Sequence, residues 1–505
     1  MYKRTLIIIM IIISIFLNGC HNKLNNNNNI VFYEIFTGSF SDSNNDGIGD
    51  LNGIINRIPY LKNDLGIEGI WLTPIFESVS YHKYDVIDYY KIDPDFGNIN
   101  DLKRLIETAH SENIRIILDL VINHTSDKND WFKQFIKAHR LKDISNPYYD
   151  YYSFSDSNKL ANNRTYYQID NTNEYYEANF SSDMPELNFD SKDVRNELLA
   201  IAEYYLDLGI DGFRYDAAKY IYFNQNDETI DFWSWFNNQL KKKHPNIYLV
   251  SEVWSEKDEI IKYSESMNCF DFDMAAENGY IIQSTNGLNL KYYTEYIENY
   301  QNELAQINKN GQFVSFITNH DMDRAAEFYD VDNGKAYLAA SLNILTPGSP
   351  FIYYGEEIGM KGSKGNSNND SNRRLSMLWG DEDSIKDPPG SDYPDTKQTN
   401  RSVSEQLRDD SSLLNCYKKL LKIRKEYPQI ANGTYASYDL HNSNLGGFKI
   451  TFDNKISYLI HNNSGKTITI KNDSFKTLLD QAGYSKAYLE NTKLVIGPYT
   501  SAIIE

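Results

Sequence analysis

A chain of 505 residues exceeds one ordinary domain, and its 41% hydrophobic content is enough to bury a sizeable core without cross-links. The formal charge of −20 argues against a nucleic-acid partner, because phosphate binding needs clustered basic residues and none are present. An aromatic content of 14%, with 40 tyrosines, suits ligands that have apolar faces and hydroxyl edges, although ordinary packing accounts for most of those rings.

In chain order, Lys3 and Arg4 precede an apolar run from Leu6 to Leu17, followed by Gly19 and Cys20. The run has the length of a signal-peptide core and falls short of the roughly 20 apolar residues that cross a bilayer. LNGC (17–20) resembles the bacterial lipobox, in which the cysteine is acylated and becomes the mature N-terminus. Residues 1–20 are therefore expected to be a lipoprotein signal peptide, with lipidation at Cys20; an uncut signal anchor is the alternative. Residues 21–29 (HNKLNNNNN) are a polar tether that cannot bury surface. The expected location is extracytoplasmic, lipid-anchored to a bacterial membrane. Only Cys269 and Cys416 remain beyond Cys20, so there is no disulfide framework, and whether these two pair stays open.

From Ile30 onward, short β-branched or aromatic runs alternate with longer amphipathic segments, the pattern of a parallel sheet with crossover helices. VFYEIF, GIEGIWLTP, IRIILDLVI, GIDGFRYDA, NIYLVSEVW, CFDFDMA, QFVSFITNHD and SPFIYYGEE make eight strands, which predicts an α/β fold: a (β/α)8 TIM barrel over 30–124 and 189–430. The stretch 125–188, dense in Tyr, Asn, Asp and Ser, is more than a barrel needs and predicts an irregular subdomain inserted after the third strand. LLNCYKKLLKIRKEYP (413–428) predicts a closing helix that stops near Pro428, and GSKGNSNNDSN (362–372) a mobile loop. Beyond residue 431, KITF, ISYLIHN, KTITI and LVIGPYTSAII predict a C-terminal antiparallel β-sandwich, 431–505.

Carboxylates interrupt these apolar strands. Asp119 ends the third, Asp216 the fourth, Glu252 the fifth and Asp321 the seventh. In a barrel such residues converge on one mouth, where like charges raise one another's pKa, an arrangement that normally exists for chemistry. Two carboxylates, one attacking the anomeric carbon and one protonating the leaving oxygen, suffice for retaining glycoside hydrolysis when they stand roughly 5–5.5 Å apart. A lone strand-end Asp more often caps the next helix. Here each acid travels with basic or imidazole neighbours.

The segments DLVINH (119–124), GFRYDAAKY (212–220), EVW (252–254) and FITNHD (316–321) resemble, in order, the four short regions of the α-amylase family of glycoside hydrolases. GIWLTP (69–74), MPELN (184–188) and GSPFIYYGEE (348–357) match three further family regions. The resemblance implies Asp216 as nucleophile, Glu252 as general acid and base, and Asp321 as the third carboxylate that holds sugar hydroxyls. It implies Arg214, on the same strand face as Asp216, as the group that keeps the nucleophile ionised. His124 and His320 would donate to sugar hydroxyls. In SYHKYD (80–85), Tyr84 would stack beneath the sugar with His82 beside it, and Asp119 would organise the site. Lys219 would serve the aglycone side, where Tyr220 replaces the family's common His. Arg374 would contact substrate, although Ser376 stands where related glucosidases carry Pro.

The implied activity is cleavage of α-1,4 bonds in starch, glycogen or maltodextrins. The alternatives within the family are an exo-acting α-glucosidase, a neopullulanase and a transglycosylase. From other classes come a non-catalytic barrel like the ectodomains of amino-acid transporter heavy subunits, and a glucan-binding surface lipoprotein. DSNNDGIGD (42–50), which follows the first strand, resembles a family calcium loop. Asp42, Asn44, Asp46 and Asp50 would give side-chain oxygens and Ile48 its carbonyl, a donor set that suits structural Ca²⁺, with Gly47 and Gly49 letting the backbone wrap inward. A solvated Asx-turn loop is the plainer alternative. A second calcium near Asn123 and Glu186, which some family members hold, is not expected.

Overall fold

The computed structural model describes residues 29–156, 163–329, 334–399 and 401–505. Cys20 and the tether through residue 28 lie outside the described residues. Each of the eight apolar runs forms a strand: β1 (Phe32–Ile35), β2 (Gly69–Leu72), β3 (Arg115–Leu120), β4 (Gly212–Tyr215), β5 (Tyr248–Ser251), β6 (Asn268–Phe270), β7 (Phe313–Val314) and β8 (Phe351–Tyr353). They lie in one sheet in the order β7-β6-β5-β4-β3-β2-β1-β8, and β1 pairs in parallel with both β2 and β8. The seam between β7 and β8 is joined by Ser349 N–H donating to Phe313 O and Phe351 N–H to Ser315 O, each at 2.8 Å. The result is a (β/α)8 TIM barrel.

Its interior is filled by rings. Phe32 stacks on Phe351 at 4.7 Å between centroids, Phe270 meets Phe351 at 4.8 Å, and Trp71 meets Phe270 at 5.5 Å. Alternation along β1 then places Glu34 on the same inward face as Phe32, two residues further toward the catalytic mouth.

Two elements differ from the sequence expectation. After β2 the chain makes an antiparallel hairpin, Phe76–Ser78 with Val86–Ile92, whose tip presents residues 79–85 to the mouth of the barrel. The inserted region is more regular than its composition predicts. A helix, Asp130–Leu141, buries Phe132, Phe135 and Ala138 at helical spacing, and a three-stranded sheet follows from Phe154–Asp156, Tyr166–Gln168 and Glu174–Glu177. Apolar residues three or four apart outweigh the polar bias between them, because one buried stripe is enough to hold a helix.

The helix Leu413–Glu426, capped by Ser412, ends before Pro428 and packs Leu414, Leu420 and Ile423 into the main core. Cys269 sits in β6 and Cys416 in this helix; both are free and buried. The C-terminal region forms a five-stranded and a three-stranded antiparallel sheet around a core of its own that includes Leu445, Ile460, Phe475, Leu494 and Ile504.

Candidate active site

Arg214 organises the first half of the site. Alternation on β4 aims it along the same face as Asp216, which follows the strand. Its Nη1 lies 2.7 Å from Asp216 Oδ1 and donates to both oxygens of Asp119, on β3, at 2.9 and 3.0 Å. Its Nη2 lies 2.9 Å from Glu252 Oε2, at the end of β5. The guanidinium is fully buried, 5.1 Å above the Trp71 ring. Glu252 Oε2 also accepts the N–H of Ala217 at 3.0 Å, and Ala217 holds a left-handed conformation (φ 44) at the strand-to-loop corner. Asp216 and Glu252 thus share one guanidinium.

The second half is built on the segment after β7. The chain runs on past Val314, with Ile317 O accepting Ala276 N–H, so Asp321 stands several residues beyond the strand's end rather than on it. Asp321 Oδ1 meets Arg374 Nη2 at 2.8 Å, and Asp321 Oδ2 meets His320 Nε2 at 3.2 Å. His320 Nδ1 lies 2.6 Å from Glu34 Oε1. Tyr84, from the hairpin tip, stacks on the His320 ring (5.4 Å, 11°) and donates its hydroxyl to Asp119 Oδ2 at 3.0 Å, with the Tyr84 hydroxyl oxygen itself 2.5 Å from His320 Nε2. Arg374 Nη1 donates to Tyr81 OH at 2.8 Å.

A cleft of ≈ 680 Å³ opens over these groups, lined by Asp216, Glu252 and Asp321 together with Tyr84, His82, His124 and Arg374. Asp119, Arg214 and His320 lie beneath it, buried under the lining residues. Electrostatics separate the acids. Burial pushes both Asp216 and Glu252 above the usual carboxylate range, with Arg214 pulling each back. Burial raises Asp119 to about 7 against the same guanidinium. For Asp321 burial is outweighed by His320 and Arg374, which hold it far below the usual range. One arginine cannot neutralise Asp119, Asp216 and Glu252 together, so these three hold protons more tightly than Asp321 does. A cleft that presents both a carboxylate and a carboxylic acid can attack one atom and protonate its neighbour.

The family model for the alpha-amylase catalytic domain matches residues 34–433. The chain belongs to the alpha-amylase family. It is 36% identical, over all of its length and 98% of the other protein, to Alpha-amylase 3 of Dictyoglomus thermophilum. The 4-alpha-glucanotransferase of Thermotoga maritima is 31% identical over 66% of this chain and 73% of its own. The solved structure of Eubacterium rectale Amy13B superposes with a TM-score of 0.89 and 34% identity, covering 95% of this chain and 96% of that one. This alpha-amylase family enzyme is accordingly a glycosidase.

Of the residues singled out in the sequence, Asp216, Glu252, Asp321, Tyr84, His82, His124 and Arg374 meet at the cleft, with Asp119, Arg214 and His320 forming its buried floor. The imidazole of His124 packs 5.1 Å from Phe180, and burial lowers both His82 and His124 to about 4, leaving them neutral. Lys219 stands apart. Its ammonium donates to Trp254 O at 3.3 Å and lies 3.8 Å from Glu259, outside the cleft lining. Three groups escaped the sequence reading: Tyr81, Trp254 and Glu34. Glu34 left one signal, a carboxylate in the middle of an otherwise apolar strand.

The 42–50 loop is oxygen-rich, but its oxygens turn inward. Asp42 accepts N–H groups from Asn44, Asn45 and Gly47 and the hydroxyl of Ser384; Asn44 accepts from Asp46 and Asp46 from Ile48. Asp50 caps the helix Leu51–Pro59 through Gly53 N–H at 2.7 Å. Gly49 admits the close approach of Thr37 O, which would stand 2.2 Å from a Cβ there. The donor set suits a hard cation by its chemistry. Among the described residues, however, no three Asp, Glu, His or Cys side chains gather as a metal cage. Asn123 Nδ2 bonds directly to Glu186, and Asn123 Oδ1 has no partner among the described residues.

Proposed function

We propose that this enzyme is an alpha-amylase: a retaining hydrolase of α-1,4-glucosidic bonds in starch, glycogen or maltodextrins that works by double displacement. The observation that carries the reading is the sharing of one buried guanidinium by Asp216 and Glu252 at a cleft whose other wall holds Asp321. Two carboxylates spanned by a single guanidinium suit the separation of roughly 5–5.5 Å that retention requires. Asp216 attacks the anomeric carbon as Arg214 keeps it ionised. Glu252, kept protonated by burial, donates to the leaving oxygen and then takes a proton from the incoming water. Asp321, with Arg374 behind it, accepts from sugar hydroxyls, and Tyr84 offers its ring as the floor of the cleaved subsite.

The second reading within the family is transfer to a sugar acceptor. It is favoured by Trp254, which follows Glu252 by two residues, stacks on Phe272 at 4.9 Å (25°) and stays half-exposed at the cleft rim. A flat, exposed ring there can hold an acceptor chain. An exo-acting α-glucosidase or neopullulanase would differ in products rather than in these carboxylates. Incubation with amylose, maltotriose and pullulan, with products resolved over time, tests all of these. Internal cleavage of amylose with new reducing ends is expected; disproportionation of maltotriose without net hydrolysis would overturn the hydrolase reading.

The proposed cofactor is one structural Ca²⁺ in the 42–50 loop, supported by the all-oxygen donors of Asp42, Asn44, Asp46, Asp50 and the Ile48 carbonyl. When bound it would cross-link the loop and take no part in the reaction. The proposed location is extracytoplasmic, through a lipid on Cys20. Palmitate labelling of the wild type but not of C20S is the expected result.

A further inference from the structure

We propose that Glu34 is a positioning residue, holding His320 as a fixed, doubly protonated imidazolium that in turn orients Asp321 and Tyr84 at the cleft. The proposal rests on the reading that Asp321 and Tyr84 act on the bound sugar. It goes further by assigning a role to a carboxylate that lies outside the motifs and does not reach the cleft.

Glu34 is 2% exposed, between Tyr33 and Ile35 on a strand that is otherwise apolar. Burying a carboxylate costs several kcal/mol unless it is paired and hydrogen-bonded. Its partner is a single residue: Oε1 lies 2.6 Å from the His320 ring Nδ1 and accepts the His320 backbone N–H at 3.3 Å. One oxygen therefore ties both the ring and the main chain of His320 to β1, on the opposite side of the ring from the cleft.

The far side of the same ring decides its protonation. Nε2 faces Asp321 Oδ2 at 3.2 Å and Tyr84 OH at 2.5 Å. Tyr84 gives its own proton to Asp119 Oδ2, so its oxygen is free to accept. Either neutral tautomer would turn a bare nitrogen lone pair toward a carboxylate, at Glu34 or at Asp321. Burial raises Glu34 and the His320 ring pulls it back; with Glu34 ionised, only the imidazolium satisfies both. The other groups around the ring are Trp71 from β2, edge-on at 5.7 Å, Asp119 from β3, Arg214 and Asp216 from β4, and Arg374 from the loop after β8. Arg214 is engaged by Asp119, Asp216 and Glu252, which leaves Glu34 and Asp321 as the anions in contact with His320. In keeping with this geometry, burial alone would lower His320, but Asp321 and Glu34 together raise it to about 10.

The consequence is a chain of contacts: Glu34 to His320, then His320 to Asp321 and Tyr84. The first two lie below the cleft, and the last two line it. E34Q preserves shape and an acceptor oxygen but removes the charge. With Asp321 as its sole contacting anion, His320 should then lose its proton at a lower pH and release Asp321.

The test compares wild type, E34Q and E34L by kcat, KM and pH profile on an aryl maltooligosaccharide, with circular dichroism as the check on folding. E34Q is expected to lower kcat by about 10–100-fold, the size seen when a partner that orients a functional imidazole is lost, with a smaller change in KM. Its His320 ring, followed by ¹⁵N shift, should give up its proton about one pH unit or more below the wild type. A folded E34Q with wild-type kcat and an unmoved His320 titration overturns the proposal, as does a loss of kcat with that titration unmoved. If E34L does not fold, E34Q decides. Histidine-selective ¹⁵N spectra of the wild type at pH 8, assigned with H320N, give a reading independent of any Glu34 variant: an imidazolium supports the proposal and a neutral ring rejects it. Wild-type inactivity on α-1,4-glucans would instead sink the proposed substrate and leave the charge of His320 to be judged by those spectra.

Discussion

Arg214 Nη1 and Asp216 Oδ1 lie 2.7 Å apart, on two residues of one strand face, with the guanidinium wholly out of water. A buried arginine shared by three carboxylates is stable only while its partners hold enough negative charge to satisfy it. The same requirement limits how many protons the acids can carry. Structural pairing and catalytic readiness are one arrangement here.

Replacing Arg214 with Gln leaves Asp119, Asp216 and Glu252 with no cation in contact. The expected result is a loss of kcat by at least about a thousandfold and a stability loss of about 3–5 kcal/mol, the cost of stranding buried charge. D216N, which removes one acid and keeps the arginine, should abolish turnover yet still bind maltooligosaccharide. Steady-state rates and denaturant melts, read together, separate the two effects; full activity in D216N would reject the proposed nucleophile.

His320 makes stability fall on the alkaline side. Its folded pKa of about 10 lies above the unfolded value near 6.5, so its contribution is fully present below about pH 6.5 and lost as pH rises toward about 10, with a slope of about 1.4 kcal/mol per pH unit. Melting temperature should decline over that window in the wild type. In D321N, which removes one of the two raising anions, the decline should end at a lower pH. Identical curves would show that Asp321 does not hold the proton on His320.

Trp254 offers an exposed ring beyond Glu252, stacked on Phe272, and also lines an adjoining hollow of ≈ 610 Å³. Loss of one stacking contact is worth about 0.5–1.5 kcal/mol. W254A is expected to raise KM for amylose by about two- to tenfold and to leave maltotriose hydrolysis closer to wild type. Equal effects on both substrates would place the ring outside the path of a long chain.

The 42–50 loop predicts two separable stability effects. D50A removes the cap on Gly53 N–H and should cost about 1 kcal/mol in the presence of a chelator, and more with calcium bound, because Asp50 is also a proposed ligand. A calcium chelator should lower the melting temperature of the wild type and leave that of D42A unchanged. A wild-type melt indifferent to the chelator would mean that the inward hydrogen bonds of the loop suffice and that no ion is held.

Strand positions were legible in the sequence because a barrel strand is buried on both faces, and continuous apolar runs have few other uses in a soluble chain. Asp119, Asp216 and Glu252 stood out because each breaks such a run at its end. Asp321 was legible by motif, although the structure places it beyond β7. The hairpin Phe76–Ser78 with Val86–Ile92 was missed because its polar, half-exposed strand lacks that apolar signature. The helix Asp130–Leu141 was hidden by the polar composition around its one buried stripe. Lys219 Nζ lies on the Trp254 side of the site, 3.3 Å from Trp254 O and 3.8 Å from Glu259, a placement that its long flexible side chain left open in the sequence.

Sequence alone determined the eight-strand order, the acids available and the family, since these follow from periodicity and from residues near one another along the chain. Tertiary structure decided which charges meet. Glu34 and His320 are separated by 286 residues and touch because β1 and the segment after β7 converge at the barrel mouth. An electrostatic field is set by distance through space, and the sequence does not give that distance until the barrel closes.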